Sequence, residues 1–225
     1  MKRIAHIEND MSDKFGIPRQ SGLVCDVIST IVFEPKYRNA DAVKGLEDFS
    51  HIWIIWEFDT DTGKTSEEWS PMVRPPRLGG NTRVGVFATR SPNRPNPLGL
   101  SCVKITEITS SERGPLIRVA GADLKNGTSI LDIKPYLPYT DSHPEASGGF
   151  ADDHLNDTLN VIWSKDISPS LPDDIYKAAS ELLSQDPRPS YQNDPGRIYG
   201  MKYAGYDIRF KVDDKTLTVT EVEPA

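Results

Sequence analysis

The chain has 225 residues, 37% of them hydrophobic and 26% charged, with a net charge of −7, two cysteines and four histidines. That length suits one domain of moderate size, or one domain with a smaller appendage, and a core large enough to need no metal or disulfide staples. The composition speaks against a disordered chain, two cysteines against a disulfide framework, and no apolar run approaches the roughly 20 residues of a membrane helix. Met1–His6 lacks the apolar centre of a signal peptide, so the expected compartment is the cytoplasm. The histidines are scattered with no cysteine near them, which predicts a metal-free protein. Cys25 and Cys102 each lie in apolar runs and read as small buried hydrophobes.

In chain order, Ile4–Ile7 predicts a short strand, followed by a polar, flexible loop to Gly22 that contains Pro18-Arg19-Gln20. The β-branched run Leu23–Phe33 predicts a second strand. Asn39 is a candidate cap for a short helix, with Ala42, Val43, Leu46 and Phe49 at helical spacing. His51–Phe58 is a continuous aromatic and β-branched run, the pattern of a strand buried on both faces. Asp59–Ser70 reads as a polar loop. Arg83–Thr89, Ser101–Thr109 and Pro115–Ala120 read as further strands, and Asn126-Gly127 as a turn before strand Ser129–Ile133.

Beyond Tyr139 the composition turns polar through Thr158, and Leu159–Trp163 reads as another strand. Ser170-Leu171-Pro172-Asp173 has the form of a capping box for a helix to about Gln185, and strands near Tyr206–Val212 and Thr216–Glu221 flank a turn. Strands outnumber helices and no long helix alternates with them, so the predicted fold is mainly β. It is a closed or nearly closed barrel over residues 1–150, with a small α/β appendage (helix plus hairpin) over 151–225.

Charge is distributed unevenly. Trp69–Thr106 holds Arg74, Arg77, Arg83, Arg90, Arg94 and Lys104 and no acidic residue, so the net −7 leaves −13 on the rest. A local positive field on an acidic protein points to an anionic ligand bound at one place. Two rigid loops carry it. Arg74-Pro75-Pro76-Arg77 is followed by Gly79-Gly80, and Arg90–Gly99 has three prolines in six residues, which forbids helix and interior strand. Arginine offers a planar fork to carboxylate or phosphate, and Asn96 between prolines presents an amide in a fixed direction. Gly121-Ala122-Asp123 ends one predicted strand and Asp132–Tyr139 ends another. There Asp123 is placed to accept from a ribose hydroxyl or an amine, and Tyr136 and Tyr139 offer stacking surfaces. No G-x-G-x-x-G, Walker A, G-x-S-x-G or H-E-x-x-H motif is present. Pattern alone gives an anion-binding β-barrel of enzymatic type.

Val73–Asn81, Gly85–Pro92, Arg94–Ser101 and Asp132–Tyr136, together with Pro18-Arg19-Gln20 and Gly45–Trp53, resemble the TsaA-like family. The resemblance runs in register from about Ile4 to Tyr139, and Asp186–Tyr191 is similar to the appendage of the longer bacterial members. It implies an S-adenosylmethionine-dependent methyltransferase on a β-barrel instead of a Rossmann-like sheet. The implied substrate is N6-threonylcarbamoyladenosine beside the anticodon of certain tRNAs, methylated on N6. It also implies a homodimer with the cofactor near the subunit interface; neither a membrane nor DNA is an expected partner.

Carried over position by position, the implied cofactor contacts are Arg19, Gln20, Ser21, Gly22, Phe58, Asp59, Arg90, Leu100, Ala120, Gly121, Ala122 and Asp123. Asp59 stands where some members have histidine, so a contact there is expected through the backbone. In this scheme Arg90 pairs with the methionine carboxylate, Leu100 and Phe58 cover the adenine, and the Ala120–Asp123 backbone reads its edge. Asp132 and Tyr136 are the candidates for a general base, and Asn96 for an amide that orients N6. Arg74, Arg77 and Arg94 are the candidates for RNA phosphates or for the threonyl carboxylate. Two other readings stand beside this one, a non-catalytic RNA-binding module on the same barrel and a methyltransferase of a small anionic metabolite.

Overall fold

The computed structural model describes residues 1–225 except 60–68, 155–156, 165–166, 168–170, 190–191 and 193, with backbone alone at Arg77. Most of the predicted Asp59–Ser70 loop, and Ser170 of the predicted capping box, lie outside the described residues.

Six antiparallel strands close a barrel in the order β1-β2-β7-β6-β3-β8. They are β1 (Ala5–Glu8), β2 (Ile28–Phe33), β3 (His51–Glu57), β6 (Leu98–Ser111), β7 (Gly114–Ala120) and β8 (Ser129–Pro135). Between β3 and β6 the chain forms a ribbon of two residues per strand, β4 (Met72–Val73) and β5 (Val84–Gly85). Strand β6 is long enough to serve two neighbours. Its first half pairs with β3 and its second with β7, across a register shift between Ile105 and Glu107. Such an irregularity bends and twists a strand, as closure of so small a barrel requires.

The barrel is filled by alternate side chains. Ile7, Ile31, Ile52, Ile54, Val103, Ile117, Val119 and Ile130 are all at most 1% exposed, and each contributes about 1.5–3 kcal/mol by leaving water. Strand β3 departs from the expected two-sided burial. Ile52, Ile54 and Trp56 point inward, while His51, Trp53 and Ile55 face outward and are only half covered. The closed barrel has one inner face, and its outer wall over β3 is covered only in part, Trp53 Nε1–H donating to Asp141 Oδ2 at 2.8 Å.

Several local expectations are revised. Leu23–Val27 is not strand. Val24 and Val27, 1% exposed each, turn away from the barrel into a second core, and the intervening Cys25 is exposed, against the expected burial. The predicted helix near Asn39 is two short 3₁₀ turns, Ala40–Val43 and Leu46–Asp48, because Lys44 is extended and Gly45 adopts φ of 85°. Asn39 does cap, accepting from the Asp41 N–H at 3.0 Å. Of Arg83–Thr89 only Val84–Gly85 is strand, since its partner β4 has two residues between Pro71 and Pro75; a 3₁₀ turn at Val86–Ala88 follows.

After a one-turn helix α1 (Pro138–Asp141) the chain builds a second sheet in the order β10-β11-β12-β9. Its strands are β9 (Asn160–Trp163), β10 (Tyr199–Tyr203), β11 (Tyr206–Asp213) and β12 (Thr216–Pro224), with β9 parallel to β12. Helix α2 (Asp173–Ser184) covers it with Ala178, Ala179, Leu182 and Leu183. The appendage is therefore more than the expected helix and hairpin, the unforeseen β10 alternating buried and exposed residues. Its core also takes in Met11, so the loop expected to be flexible supplies packing between the two units. Asp26 N–H adds a bond to Glu181 Oε2 at 3.0 Å.

Candidate active site

Strand β6 has no strand partner on its β7 side before Lys104, because β7 ends at Ala120 opposite that residue. Segment 19–22 fills the gap. Ser21 Oγ accepts the Cys102 N–H at 3.1 Å, and Gly22 donates to the Gly121 carbonyl at 2.9 Å. Glycine suits both places for the left-handed backbone there, and at Gly121 also for the close approach of the two backbones. Gly22 and Gly121 have φ of 79° and 83°, and a Cβ on Gly121 would lie 3.3 Å from the Gly22 backbone. From the rigid proline loop, Arg90 Nη1 reaches Gln20 Oε1 at 2.5 Å. Gln20, Ser21, Gly22, Arg90, Gly121 and Asp123, distant in sequence, thus meet at one end of the barrel.

Asp123 is the chemical centre of this cluster. Ser101, fully buried, donates its hydroxyl to Asp123 Oδ1 at 2.5 Å and accepts Trp56 Nε1–H at 2.9 Å. Burial pushes the Asp123 carboxyl above its ordinary value. The Ser101 hydroxyl, the backbone N–H groups of Asp123 and Ser21, and the Arg90 guanidinium pull the other way without cancelling it. Trp56 packs on Phe58 with ring centroids 4.2 Å apart, and Phe58 N–H is held by the Pro97 carbonyl at 2.9 Å. Trp56 and Ser101 were missed in the sequence reading. The available signal was a serine at an inward position of β6, which a closed barrel accepts only if its hydroxyl is bonded.

The remaining candidates fall around this centre. Leu100 projects outward from β6, 53% exposed, while Ala120 and Ala122 are buried behind the cluster. Asp59 is exposed, and its carbonyl accepts from Lys14 Nζ at 3.2 Å. Arg19 Nη2 donates to the carbonyls of Asp186 and Arg188 at 3.3 and 3.2 Å, tying the segment to the C-terminal unit.

Asp132 shares the outer wall with Leu100. The register places Leu100, Ile55 and Asp132 in one row across β6, β3 and β8, about 10 Å from end to end. Its carboxylate is engaged by Lys134 Nζ at 3.0 Å and the Ile133 N–H at 2.9 Å. Tyr136 lies farther along, its ring 5.7 Å from Trp53 and 6.2 Å from His51. Within one chain, neither touches the Arg90–Asp123 cluster. Asn96 is exposed on the proline loop. Arg74 is exposed; Arg94 is half-buried, bonding the Thr89 carbonyl at 3.0 Å, and the Arg77 side chain lies outside the description. Tyr139 is 86% exposed.

The set fits the implied cofactor. A zwitterionic methionine tail asks for a cation and an acceptor together, which Arg90 and Asp123 offer, and an adenine asks for apolar cover, which Phe58 and the exposed Leu100 offer. No group of three or more metal-ligating side chains occurs among the described residues, nor does any helix there have the length and apolarity to cross a membrane.

Comparison with known proteins gives the family. Residues 6–142 match the tRNA-methyltransferase O N-terminal domain and residues 157–225 the TrmO C-terminal domain. The chain is 38% identical over 232 residues to the tRNA (adenine(37)-N6)-methyltransferase of Escherichia coli K12, covering 99% of this chain and 97% of that protein. It is 46% identical over 166 residues to the protein of the same name from Eikenella corrodens, covering 73% and 92%. The crystal structure of TrmO from P. aeruginosa superposes with a TM-score of 0.77 at 29% identity, covering 99% and 95% of the two chains. With both domain types present in order and near-complete coverage of a relative at this identity, the chain belongs to the TrmO family of tRNA methyltransferases.

Proposed function

We propose that this protein transfers a methyl group from S-adenosylmethionine to N6 of the adenine at position 37 of tRNA, and that the form methylated is N6-threonylcarbamoyladenosine. The observation that carries the reading is the convergence of Gln20, Ser21, Gly22, Arg90, Gly121 and Asp123 beside the exposed Leu100, in a chain of this family. When bound, S-adenosylmethionine supplies a sulfonium methyl open to in-line attack.

The chain's own groups bind and orient. Arg90 takes the methionine carboxylate, and its Nε and Nη2 carry no other hydrogen bond among the described residues. Asp123 accepts from a ribose hydroxyl or the amino group, and Phe58 and Leu100 cover the adenine. Asn96, fixed between Pro95 and Pro97, orients N6. Since N6 sits on a carbamoyl group, its proton must leave for it to attack well. Asp132 is the proposed acceptor, and the enzyme's main contribution is placement at attack distance with water excluded. The proposed assembly is a cytoplasmic homodimer with the cofactor near the subunit interface. In that arrangement the outer wall carrying Leu100 and Asp132 faces a second copy, which is how an Asp132 remote from Arg90 in its own chain comes to act.

The test is incubation with labelled S-adenosylmethionine and tRNA from cells that make or lack the threonylcarbamoyl modification. Label entering the modified pool alone is the expected result; equal labelling of both pools, or of neither, overturns the specificity. An Asp132→Ala protein that binds cofactor and keeps full turnover removes Asp132 as the base.

A further inference from the structure

The β4–β5 ribbon carries apolar surface that cofactor binding does not use. Phe87 is 71% exposed, Trp69 42% and Met72 45%. The Phe87 and Trp69 rings lie 5.8 Å apart between centroids at 31° to each other. The Arg94 guanidinium sits 6.0 Å from the Phe87 centroid, fixed by its bond to the Thr89 carbonyl. Phe87 is held outward, not left loose. Its 3₁₀ turn is closed by Thr89, whose N–H and hydroxyl both donate to the Val86 carbonyl at 3.1 and 2.8 Å, and Val86 is 1% exposed. Toward the other end of the ribbon, the pairs Met72↔Gly85 and Val73↔Val84 bring the exposed Arg74 and Arg83 next to each other, about 7 Å beyond Met72.

We propose that Phe87 and Trp69 form a stacking platform for an unpaired nucleobase of the anticodon loop, with Arg94 against the Phe87 ring and Arg74 and Arg83 on flanking phosphates. This rests on the tRNA reading above and extends it to a second contact site. RNA loops are recognised by splaying bases onto aromatic rings and guanidinium planes while cations follow the backbone, and every base has a face to stack. Charge decides between RNA and a second copy of the chain as occupant. A two-fold contact sets a patch against itself. Here that opposes arginine to arginine, in a stretch from Trp69 to Thr106 with no acidic residue to pair with them.

The experiment measures binding of tRNA carrying the threonylcarbamoyl modification as a function of salt. Phe87→Ala is expected to weaken binding by roughly 5- to 100-fold with an unchanged salt slope, and Phe87→Trp to restore it. Arg74→Ala is expected to lower the slope by about one. The affinity for S-adenosylmethionine and the sedimenting mass of Phe87→Ala should match those of the unaltered chain. Unchanged RNA affinity in Phe87→Ala overturns the platform, as does a weakened affinity accompanied by a change in mass, which makes the patch a contact between copies. Failure of the unaltered chain to bind this tRNA at all overturns the tRNA reading itself, and is told apart because no variant is then needed to see it.

Discussion

Ser101 Oγ donates to Asp123 Oδ1 at 2.5 Å and is itself fixed by Trp56 Nε1–H at 2.9 Å, so a half-buried carboxyl at the barrel end is aimed through a strand residue it does not neighbour in sequence. The serine gives its one O–H to the carboxylate while one of its two lone pairs accepts the indole N–H. That polarity favours the ionised form of an acid whose burial opposes ionisation.

Cofactor affinity should therefore depend on pH through Asp123, which accepts more strongly from the cofactor when ionised. Affinity falls as pH drops through its raised pKa. Ser101→Ala removes a bond that lowers that pKa, so the acid limb moves to higher pH; Asp123→Asn abolishes the limb. Calorimetric titration across pH is the check, and a Ser101→Ala limb at unchanged pH contradicts the role.

The same shift has a consequence for stability. A carboxyl whose folded pKa lies above its unfolded value costs stability while ionised in both states, at pH above the folded value. The cost disappears as pH falls below the ordinary 3.8. Asp123→Asn should thus unfold at higher urea concentration than the unaltered chain at neutral pH, with the difference shrinking toward pH 3.

Arg90→Ala should weaken S-adenosylmethionine binding by about 10- to 100-fold, the worth of a hydrogen bond to a charged group. It also releases Gln20, which Arg90 holds at 2.5 Å. Arg90→Lys should recover only part, because an ammonium cannot serve Gln20 and a carboxylate with one planar fork.

Gly99→Ala is expected to destabilise the barrel by about 1–3 kcal/mol in urea unfolding, the usual cost of overpacking. A Cβ at Gly99 would overlap the Trp56 indole. Because Trp56 must move to admit it, the variant should also lose cofactor affinity. A variant as stable as the parent would show that the indole has room to shift.

Arg19 contacts the C-terminal unit through the carbonyls of Asp186 and Arg188. Arg19→Ala should reduce cofactor affinity severalfold by loosening Gln20, Ser21 and Gly22, and should lower the melting temperature slightly. A variant of Asp186 that leaves the loop unbraced, Asp186→Ala, should reproduce the effect; its carboxylate holds Arg188 Nε at 2.8 Å and so orients the carbonyls that Arg19 uses.

The strands of the barrel were legible because β3, β6, β7 and β8 carry runs of β-branched and aromatic residues, and burial alternates along β3, the first half of β6 and most of β7. Where propensity and partner disagreed, the partner won. Val24 and Val27 have the composition of strand but are claimed by the second core, and Arg83–Thr89 is cut short by a two-residue partner. Strand β10 went unseen because Gly200 and Lys202 dilute a pattern that becomes visible only as Tyr199, Met201 and Tyr203 turn together into one core.

The sequence by itself determined that a rigid, acid-free, arginine-bearing stretch lies at the centre of function, since charge and proline content are local properties that no fold can change. Tertiary structure alone decided how its arginines divide. Arg90 bonds Gln20 and puts its charge near enough to Asp123 to favour the ionised carboxylate, Arg94 braces its own loop under Phe87, and Arg74 stands in solvent beside Arg83. Which partner a guanidinium finds depends on where barrel closure delivers distant segments, and closure is fixed by burial of the interior isoleucines and valines, not by the loop that carries the charge.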